Sequence, residues 1–439
     1  MKRLALQQLA VWGGTTDRRP LLIRGARQVG KTWLVREYAK NYDHFIEVNL
    51  ESDPEYIPLF RSSFGKPEDL CKAIALLSGK KIVAGKTLLF LDEIQQSKEA
   101  LLSLRYFKEK MPELHVVAAG SLLEFAFSDF SFPVGRIEFM HLFPMNFQEY
   151  LLAKNRQDLV TAIAEADVKR PLSAAVHDRL IEEVSAYWLV GGLPDVLKTY
   201  IESSDLAQCQ NQLQMLAATY REDFHKYASK TNIEYLRSLF QNIPRFLGQK
   251  FKYSKVDEGV RSRELSAALN LLCMAGLAYK VHHSSANGLP LDAQTNLKKF
   301  KVFFIDIGLC QRVLGLSLAE QFMKRKALLA NQGGLAEQFV AQELLSYTPS
   351  NQNPALYYWQ REHASATAEV DLITEHQSHV LPIEIKSQRG TGLKSMRLFL
   401  EEKALHVPRG LKISSLPFSK LDKIEHWPFY GLQKFSLLK

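Results

Sequence analysis

Two sets of residues in this chain have the types and spacing to do chemistry. The first is Gly25-Ala26-Arg27-Gln28-Val29-Gly30-Lys31-Thr32, which fits the pattern Gly, four residues, Gly, Lys, then Ser or Thr. Its glycines let the backbone wrap an anion, so that successive amides and the start of a following helix face a phosphate. In that setting Lys31 reaches the β and γ phosphates and Thr32 offers a hydroxyl to Mg²⁺. At ordinary glycine usage, roughly one sequence in a hundred of this length shows the pattern by chance. A second, independent element is Leu88-Leu89-Phe90-Leu91-Asp92-Glu93, an apolar strand ending in two carboxylates, where open α/β sheets bind ligands. There Asp92 holds Mg²⁺ through its water shell and Glu93 orients and polarises an attacking water. The plainer reading, a buried strand closed by two surface acids, loses ground once the upstream loop is counted with it.

Two lesser candidates belong to the same half. Ser121, in Ala119-Gly120-Ser121 at the end of another strand, is either a sensor of the γ-phosphate or part of a small-residue turn. Arg136 is a candidate arginine finger, in cis or on a neighbouring subunit, or else a solvated surface charge.

The second set is C-terminal: Glu337 on a helix, Asp371 within Glu369-Val370-Asp371-Leu372-Ile373, and Glu384-Ile385-Lys386 on the next strand. This is the layout of a PD-(D/E)xK nuclease site. Carboxylates on adjacent strands would bind one or two divalent metals, Lys386 would position the hydrolytic water, and Glu337 would complete the shell. An Asp followed at loose spacing by Glu-x-Lys is expected about once in a chain this long, so context carries the argument. Both acids lie in apolar, β-branched runs, where an unliganded carboxylate is costly. Two readings stay open: a competent DNA-cleaving site, and an inactive nuclease-like fold used for DNA binding or oligomerisation, with Asp371 and Lys386 paired.

The elements that must position these residues follow from periodicity. A strand at Leu21-Leu22-Ile23 enters the Gly-rich loop, and Leu34, Val35 and Tyr38 continue it as a helix. Further strands are expected at Phe45 to Leu50, Thr87 to Leu91 and His115 to Ala119, with helices Pro67 to Leu77 and Lys98 to Lys110 between them. That alternation predicts a parallel sheet with helices on both faces. Beyond Pro144 the signal is helical, with one helix from Asp178 to Val190 ending at Gly191-Gly192. Helices Glu234 to Leu247 and Arg263 to Ala275, followed by strand-like pieces Leu277 to His282 and Lys301 to Ile305, suggest a winged-helix unit. Helix Leu335 to Ser346 then leads to strands Ala355 to Trp359, Glu369 to Thr374 and Val380 to Lys386.

The chain has 439 residues, 46% hydrophobic and 23% charged, room for two or three cored domains and a composition that excludes disordered, collagen-like and disulfide-scaffold classes. Fifty-six Lys and Arg against 47 Asp and Glu give a formal charge of +9, which leans towards a polyanionic partner such as DNA. Cys71, Cys209, Cys273 and Cys310 are scattered singly, and no secretory signal or membrane-length apolar run is visible, so a cytoplasmic setting without membrane contact is expected. Arg245, Lys250, Lys252, Lys255, Arg261 and Arg263 cluster with Phe246, Phe251 and Tyr253 at the winged-helix segment. They form either a salt-sensitive duplex-binding face, with the helix from Arg263 entering a groove, or a solvated face on a protein-binding module. His282-His283 reads as a strand-end pair, and Trp188 and Trp359 as core.

The sequence resembles the prokaryotic AAA-type ATPases whose C-terminal half carries a domain of unknown function. The resemblance covers nearly the whole chain. It rests on Gly25 to Thr32, Leu91-Asp92-Glu93-Ile94-Gln95, Gly120-Ser121, Gly135-Arg136, Leu142-Phe143-Pro144-Met145-Asn146-Phe147, Gly191-Gly192-Leu193-Pro194 and Phe304-Ile305-Asp306-Ile307-Gly308-Leu309. Met145 and Asn146 stand where Leu and Ser are expected. The resemblance implies an ATPase core, a winged-helix segment and a nuclease-like C-terminus. The expected architecture is therefore α/β: a P-loop domain over 1–144, a helical lid over 145–230, a winged-helix-like unit over 231–325 and a nuclease-like domain over 326–439. ATP and Mg²⁺ are the expected ligands, with a second divalent metal in the C-terminal site. The expected partners are DNA, a protein, or further copies of the chain.

Overall fold

The computed structural model describes residues 1–121, 135–227, 231–316, 333–349, 352, 354–361, 368–386 and 392–437. In the N-terminal part, α1 (Ala5–Gly14), β1 (Leu21–Arg24), α2 (Lys31–Tyr38), β2 (His44–Asn49), α3 (Ile57–Ser62), α4 (Pro67–Ser78), β3 (Thr87–Asp92), α5 (Lys98–Lys110), β4 (His115–Gly120) and β5 (Glu138–His141) follow in order. The strands form a five-stranded sheet ordered β2-β3-β4-β1-β5, with every neighbouring pair parallel. Side chains alternate between its faces, as the strand period requires. Ile23, Phe90 and Val117 pack with Leu9, Trp12, Leu34 and Val35 of α1 and α2. Leu22, Leu89, Leu91 and Val116 pack with Phe60, Ile74, Leu104 and Phe107 of α3 to α5. Covering both faces explains why β3 and β4 are buried throughout and apolar between their ends. The short β5 was not expected, because Glu138-Phe139-Met140-His141 has no strand-like run of its own and is held by pairing with β1.

A helical stretch follows: α6 (Phe147–Ala153), α7 (Gln157–Glu165), α8 (Ala174–Val190), α9 (Pro194–Ser203) and α10 (Leu206–Asp223). After it come α11 (Ile233–Asn242), α12 (Ser262–Met274), β6 (Ala278–Ser284), β7 (Thr295–Phe304) and α13 (Ile307–Val313). The last part holds α14 (Gly333–Ser346), β8 (Tyr357–Gln360), β9 (Glu369–His376), β10 (His379–Ile385), α15 (Lys394–Glu402), β11 (Gly410–Ser414), β12 (Ser419–Leu421), β13 (Ile424–Pro428) and α16 (Lys434–Leu437).

The hairpin expected within the winged-helix-like unit is present as β6–β7, and it does not stand alone. β6 pairs in parallel with β8, His282 with Tyr357 and His283 with Tyr358. The hairpin thereby forms one edge of an eight-stranded sheet ordered β12-β13-β11-β10-β9-β8-β6-β7. The physical reason lies in β7, whose second half, Phe300 to Phe304, is wholly buried and needs a covered sheet, while Leu297, Lys298 and Lys299 stay exposed at the rim. The boundary expected at 325/326 falls outside the described residues, but the sheet spans it. The boundary expected after Pro144 does not divide the core either: one apolar cluster runs from Ile23 and Leu34 through Tyr187 and Trp188 to Phe339 and Phe429.

Two motifs with no chemical role in the sequence meet here. The Asp306 carboxylate accepts the Gly192 amide at 2.6 Å and the Leu309 amide at 2.9 Å. A Cβ on Gly191 would lie 2.1 Å from that carboxylate, so the backbone approach requires glycine. Trp188 and Trp359 are core residues, and His283 bonds the Gln360 carbonyl through Nε2. All four cysteines are free, and among the described residues no helix is long and apolar enough to cross a membrane.

Candidate nucleotide site and carboxylate cluster

The loop 25–30 leaves β1 at the carboxyl end of the sheet and enters α2 through Gly30, whose φ of 91° only glycine adopts without strain. Gly25 also has to be glycine: an added Cβ would lie 2.3 Å from the Leu142 carbonyl oxygen. Lys31 is buried and donates to the carbonyls of Gly25, at 3.0 Å, and Ala26, at 2.8 Å. Burial pushes its pKa down to about 8 against the pull of Glu93 and Asp92. The Thr32 hydroxyl donates to Asp92 Oδ2 at 2.7 Å, joining the two motifs. Burial raises the Asp92 pKa although the Thr32 bond opposes it. Glu93 follows with φ 49° and ψ 43°, the left-handed region that a non-glycine residue occupies at a cost. Its amide donates to Asp92 Oδ1 and its carboxylate accepts from Gln95. Arg27, Gln28, Lys31, Thr32, Glu93 and Thr219 line one cleft of about 260 Å³. The glycine cradle, the buried ammonium and the hydroxyl–carboxylate pair are a donor set that fits a nucleotide phosphate with Mg²⁺.

Sequence reasoning missed how the loop is braced. Arg27 Nη1 bonds Asp223 at 3.0 Å at the end of α10, Nη2 lies 3.3 Å from Glu51, and Lys226 reaches Glu51 at 3.1 Å. The Tyr220 hydroxyl donates to the Arg27 carbonyl at 2.8 Å. On the other side, Arg3 donates to the carbonyls of Val29 and Phe143 and pairs with Glu149 at 3.0 Å. An isolated Arg3 near the chain start carries no signal of this.

Ser121 and Arg136 are not brought into that cleft. Ser121 is buried, its hydroxyl has no hydrogen-bond partner among the described residues, and it lines a separate cavity of about 360 Å³ with Gly25, Leu142, Phe143 and Tyr279. Arg136 precedes β5, whose Glu138 pairs with Leu21 at the start of β1, so it stands at the end of the sheet away from the loop. There its Nε bonds Glu109 at 3.1 Å, and Glu109 is shared with Arg105. The structure does not bring Arg136 to the cleft of its own chain.

The C-terminal carboxylates do converge, but around a cation that the sequence reading did not assign. Lys301 of β7 has a wholly buried side chain and pairs with Glu337 at 3.0 Å and Glu369 at 2.7 Å. Asp371 Oδ2 accepts the Ile385 amide at 2.7 Å, and Lys386 pairs with Glu384 at 2.6 Å, not with Asp371. Burial pushes the pKa of both Glu337 and Glu384 up to about 7, against Lys301 for the first and reinforced by Asp371 for the second. Burial works against the Lys301 charge, yet Glu337, Asp371 and Glu369 outweigh it and raise its pKa. Among the described residues no group of three His, Cys, Asp or Glu side chains is placed to hold a metal ion. The metal shell expected from Glu337, Asp371 and Glu384 is therefore not assembled, because the Lys301 ammonium sits among these acids and Lys386 is engaged. The only sequence signal was a lysine opening an apolar run at 301–305.

At the basic segment, Arg245, Lys252, Lys255, Arg261 and Arg263 are exposed and Lys250 is half-buried. Of the aromatic residues between them, Phe251 is buried and packs against Phe246, Tyr253 and Phe300 with ring centroids 5.4–5.9 Å apart, while Phe246 and Tyr253 are half-buried.

Residues 17–151 match the model of an AAA domain, residues 181–320 a domain of unknown function (DUF8612) and residues 332–417 another (DUF4143). The parallel sheet with its loop and carboxylate pair is accordingly an AAA-type, P-loop ATPase-like domain. Among solved structures the chain is similar to the Walker-type ATPase PABY2304 of Pyrococcus abyssi, at 14% identity over 70% of this chain and 94% of that one, with a TM-score of 0.43. It is also similar to the Aeropyrum pernix ORC1 protein in complex with DNA, at 14% identity over 73% and 92%, TM-score 0.28. Thermotoga maritima RuvB is similar at 16% identity over 63% and 86%, TM-score 0.28. No curated protein matches the chain.

Proposed function

We propose that the chain binds ATP with Mg²⁺ in the cleft between Gly25–Thr32 and Asp92–Glu93, hydrolyses it, and couples the cycle to DNA held on the basic face at 245–263. The observation that carries the ATPase reading is the 2.7 Å bond between Thr32 and Asp92, which brings two motifs sixty residues apart to one point. Loop amides and Lys31 bind and orient the phosphates, Thr32 and Asp92 hold the metal ion with its water shell, and Glu93 orients the attacking water. When bound, Mg²⁺ neutralises charge developing on the phosphate oxygens. Arg136 acts on the cleft of a neighbouring subunit, and Ser121 is left as part of a small-residue turn beside the loop.

The C-terminal sheet is read as the non-cleaving alternative, because Lys301 and Lys386 already pair with Glu337, Glu369 and Glu384. A second reading, a nucleotide switch acting on a protein partner, draws on the packed state of Phe251 and Tyr253. Steady-state ATP hydrolysis by wild type and Glu93→Gln, with and without duplex DNA at low and physiological salt, separates the two. Hydrolysis that needs Glu93 and rises with DNA at low salt supports the DNA-coupled reading, and Lys250→Glu/Lys252→Glu/Lys255→Glu should remove the rise. Hydrolysis that needs Glu93 but ignores DNA supports the protein-partner switch, and no hydrolysis at all sinks both.

A further inference from the structure

The carboxylate cluster of the C-terminal sheet is built from three separate stretches: Glu337 on α14, Glu369 and Asp371 on β9, and Glu384 at the end of β10. Four acids in one buried neighbourhood require cations. Lys386, on the same stretch as Glu384, bonds that residue alone. Lys301 instead comes from the hairpin β6–β7, and its ammonium bridges Glu337 at 3.0 Å and Glu369 at 2.7 Å with its side chain at 0% exposure. Its backbone is fixed from both sides, paired to Val281 across the hairpin and bridged to Lys250. The backbone pairing sets where the side chain starts, and the two carboxylates hold its ammonium inside the cluster.

We propose that Lys301 is the resident cation of this cluster: it occupies the place of a divalent metal ion, and its removal opens a metal site among Glu337, Glu369, Asp371 and Glu384. A second observation points the same way. Glu384 is 5% exposed, and its Oε2 is buried without a hydrogen-bond partner. Among the described residues, one carboxylate oxygen of the cluster is thus left unsatisfied, although the other oxygen of Glu384 is paired with Lys386. Oxygen donors of this kind suit hard divalent ions such as Mg²⁺, Mn²⁺ or Ca²⁺. A divalent ion entering beside Lys301 would meet a positive charge in a site with little water, so ammonium and metal ion exclude each other.

The inference rests on the non-cleaving reading of the C-terminal sheet and is independent of the ATPase reading. The test uses the full chain carrying Asp92→Asn, which removes the metal ligand of the nucleotide cleft, and follows free Mn²⁺ by electron paramagnetic resonance. The parent should bind no Mn²⁺ in the micromolar range, and its melting temperature should not change with Mn²⁺. Adding Lys301→Met should lower the melting temperature, create one Mn²⁺ site per chain and let Mn²⁺ restore much of the lost stability. Asp371→Asn on top should abolish that site. Stoichiometric Mn²⁺ binding by the parent that disappears with Asp371→Asn overturns the proposal without recourse to the Lys301 variant. Failure of both folded Lys301→Met and Lys301→Gln to bind Mn²⁺ overturns it equally. A nuclease assay on the wild type keeps the two readings apart: Mn²⁺-dependent cleavage lost with Asp371→Asn defeats the non-cleaving reading itself, whereas Mn²⁺ binding without cleavage defeats only the role given to Lys301.

Discussion

Arg27 and Asp223, 196 residues apart in the chain, are joined at 3.0 Å, so the phosphate-binding loop is tied by its own side chain to the end of α10. Asp223 and Glu51 place two negative charges beside a cleft suited to a polyanion, and Arg27 and Lys226 compensate them. A bound triphosphate competes for the same guanidinium. Asp223→Asn is therefore expected to tighten ATP binding and Arg27→Ala to weaken it, each by about three- to tenfold, or roughly 0.7–1.4 kcal/mol. Fluorescence titration with a labelled ATP analogue checks this. Equal affinities in both variants would mean that the pair only fastens the helix.

Lys31 gives the free protein a pH limit. Burial lowers its pKa to about 8, so the ammonium is present below that pH and lost above it. kcat/KM for ATP hydrolysis should fall above pH 8 by about tenfold per pH unit, since this parameter reports the free enzyme. kcat should stay level to higher pH, because bound phosphate favours the charged lysine. Parallel decline of both parameters from the same pH would contradict this assignment.

The Thr32–Asp92 pair makes a graded prediction. Thr32→Ser keeps the hydroxyl and should retain hydrolysis within about threefold, whereas Asp92→Asn should cost on the order of a hundredfold or more in kcat by losing the carboxylate that holds the metal ion's water shell. Raising Mg²⁺ should not rescue Asp92→Asn fully. Full activity of this variant at ordinary Mg²⁺ would remove Asp92 from the site.

Arg136 and Glu109, 3.1 Å apart, lie at the end of the sheet remote from the loop, and the proposed arginine finger is therefore tested across subunits. Arg136→Ala and Glu93→Gln should each be inactive alone. Mixed in equal amounts under conditions that allow subunit exchange, they should recover about a quarter of wild-type hydrolysis, the share of interfaces that pair an intact cleft with an intact arginine. No recovery would leave Arg136 as a surface charge bound to Glu109.

The N-terminal site was legible because its chemistry is local. Gly25, Gly30, Lys31 and Thr32 occupy one turn, and Asp92 and Glu93 one strand end, so a short window contains each motif and its element. Lys301 was not legible, since what makes it matter is the company of Glu337 and Glu369, brought by other elements. The hairpin β6–β7 was anticipated as a hairpin, but nothing in Ala278–Ser284 states that β8, more than seventy residues on, completes its pairing. The packing of the aromatic residues at 246–253 was not legible either: alternation with lysines looks the same whether rings face outward or pack on Phe300.

The pairing of β6 with β8 also bears on inheritance. Two separately matched domains of unknown function, at 181–320 and 332–417, contribute adjacent strands to a single sheet. If the first were lost, β8 would become a bare edge and Glu337 and Glu369 would be stripped of their lysine. If the second were lost, Lys301 would be left as a buried charge with no carboxylate to meet. Recombination between such genes is expected to carry the two segments as one unit, with no viable crossover point inside 181–417 or within the strands to Pro428 that complete the sheet.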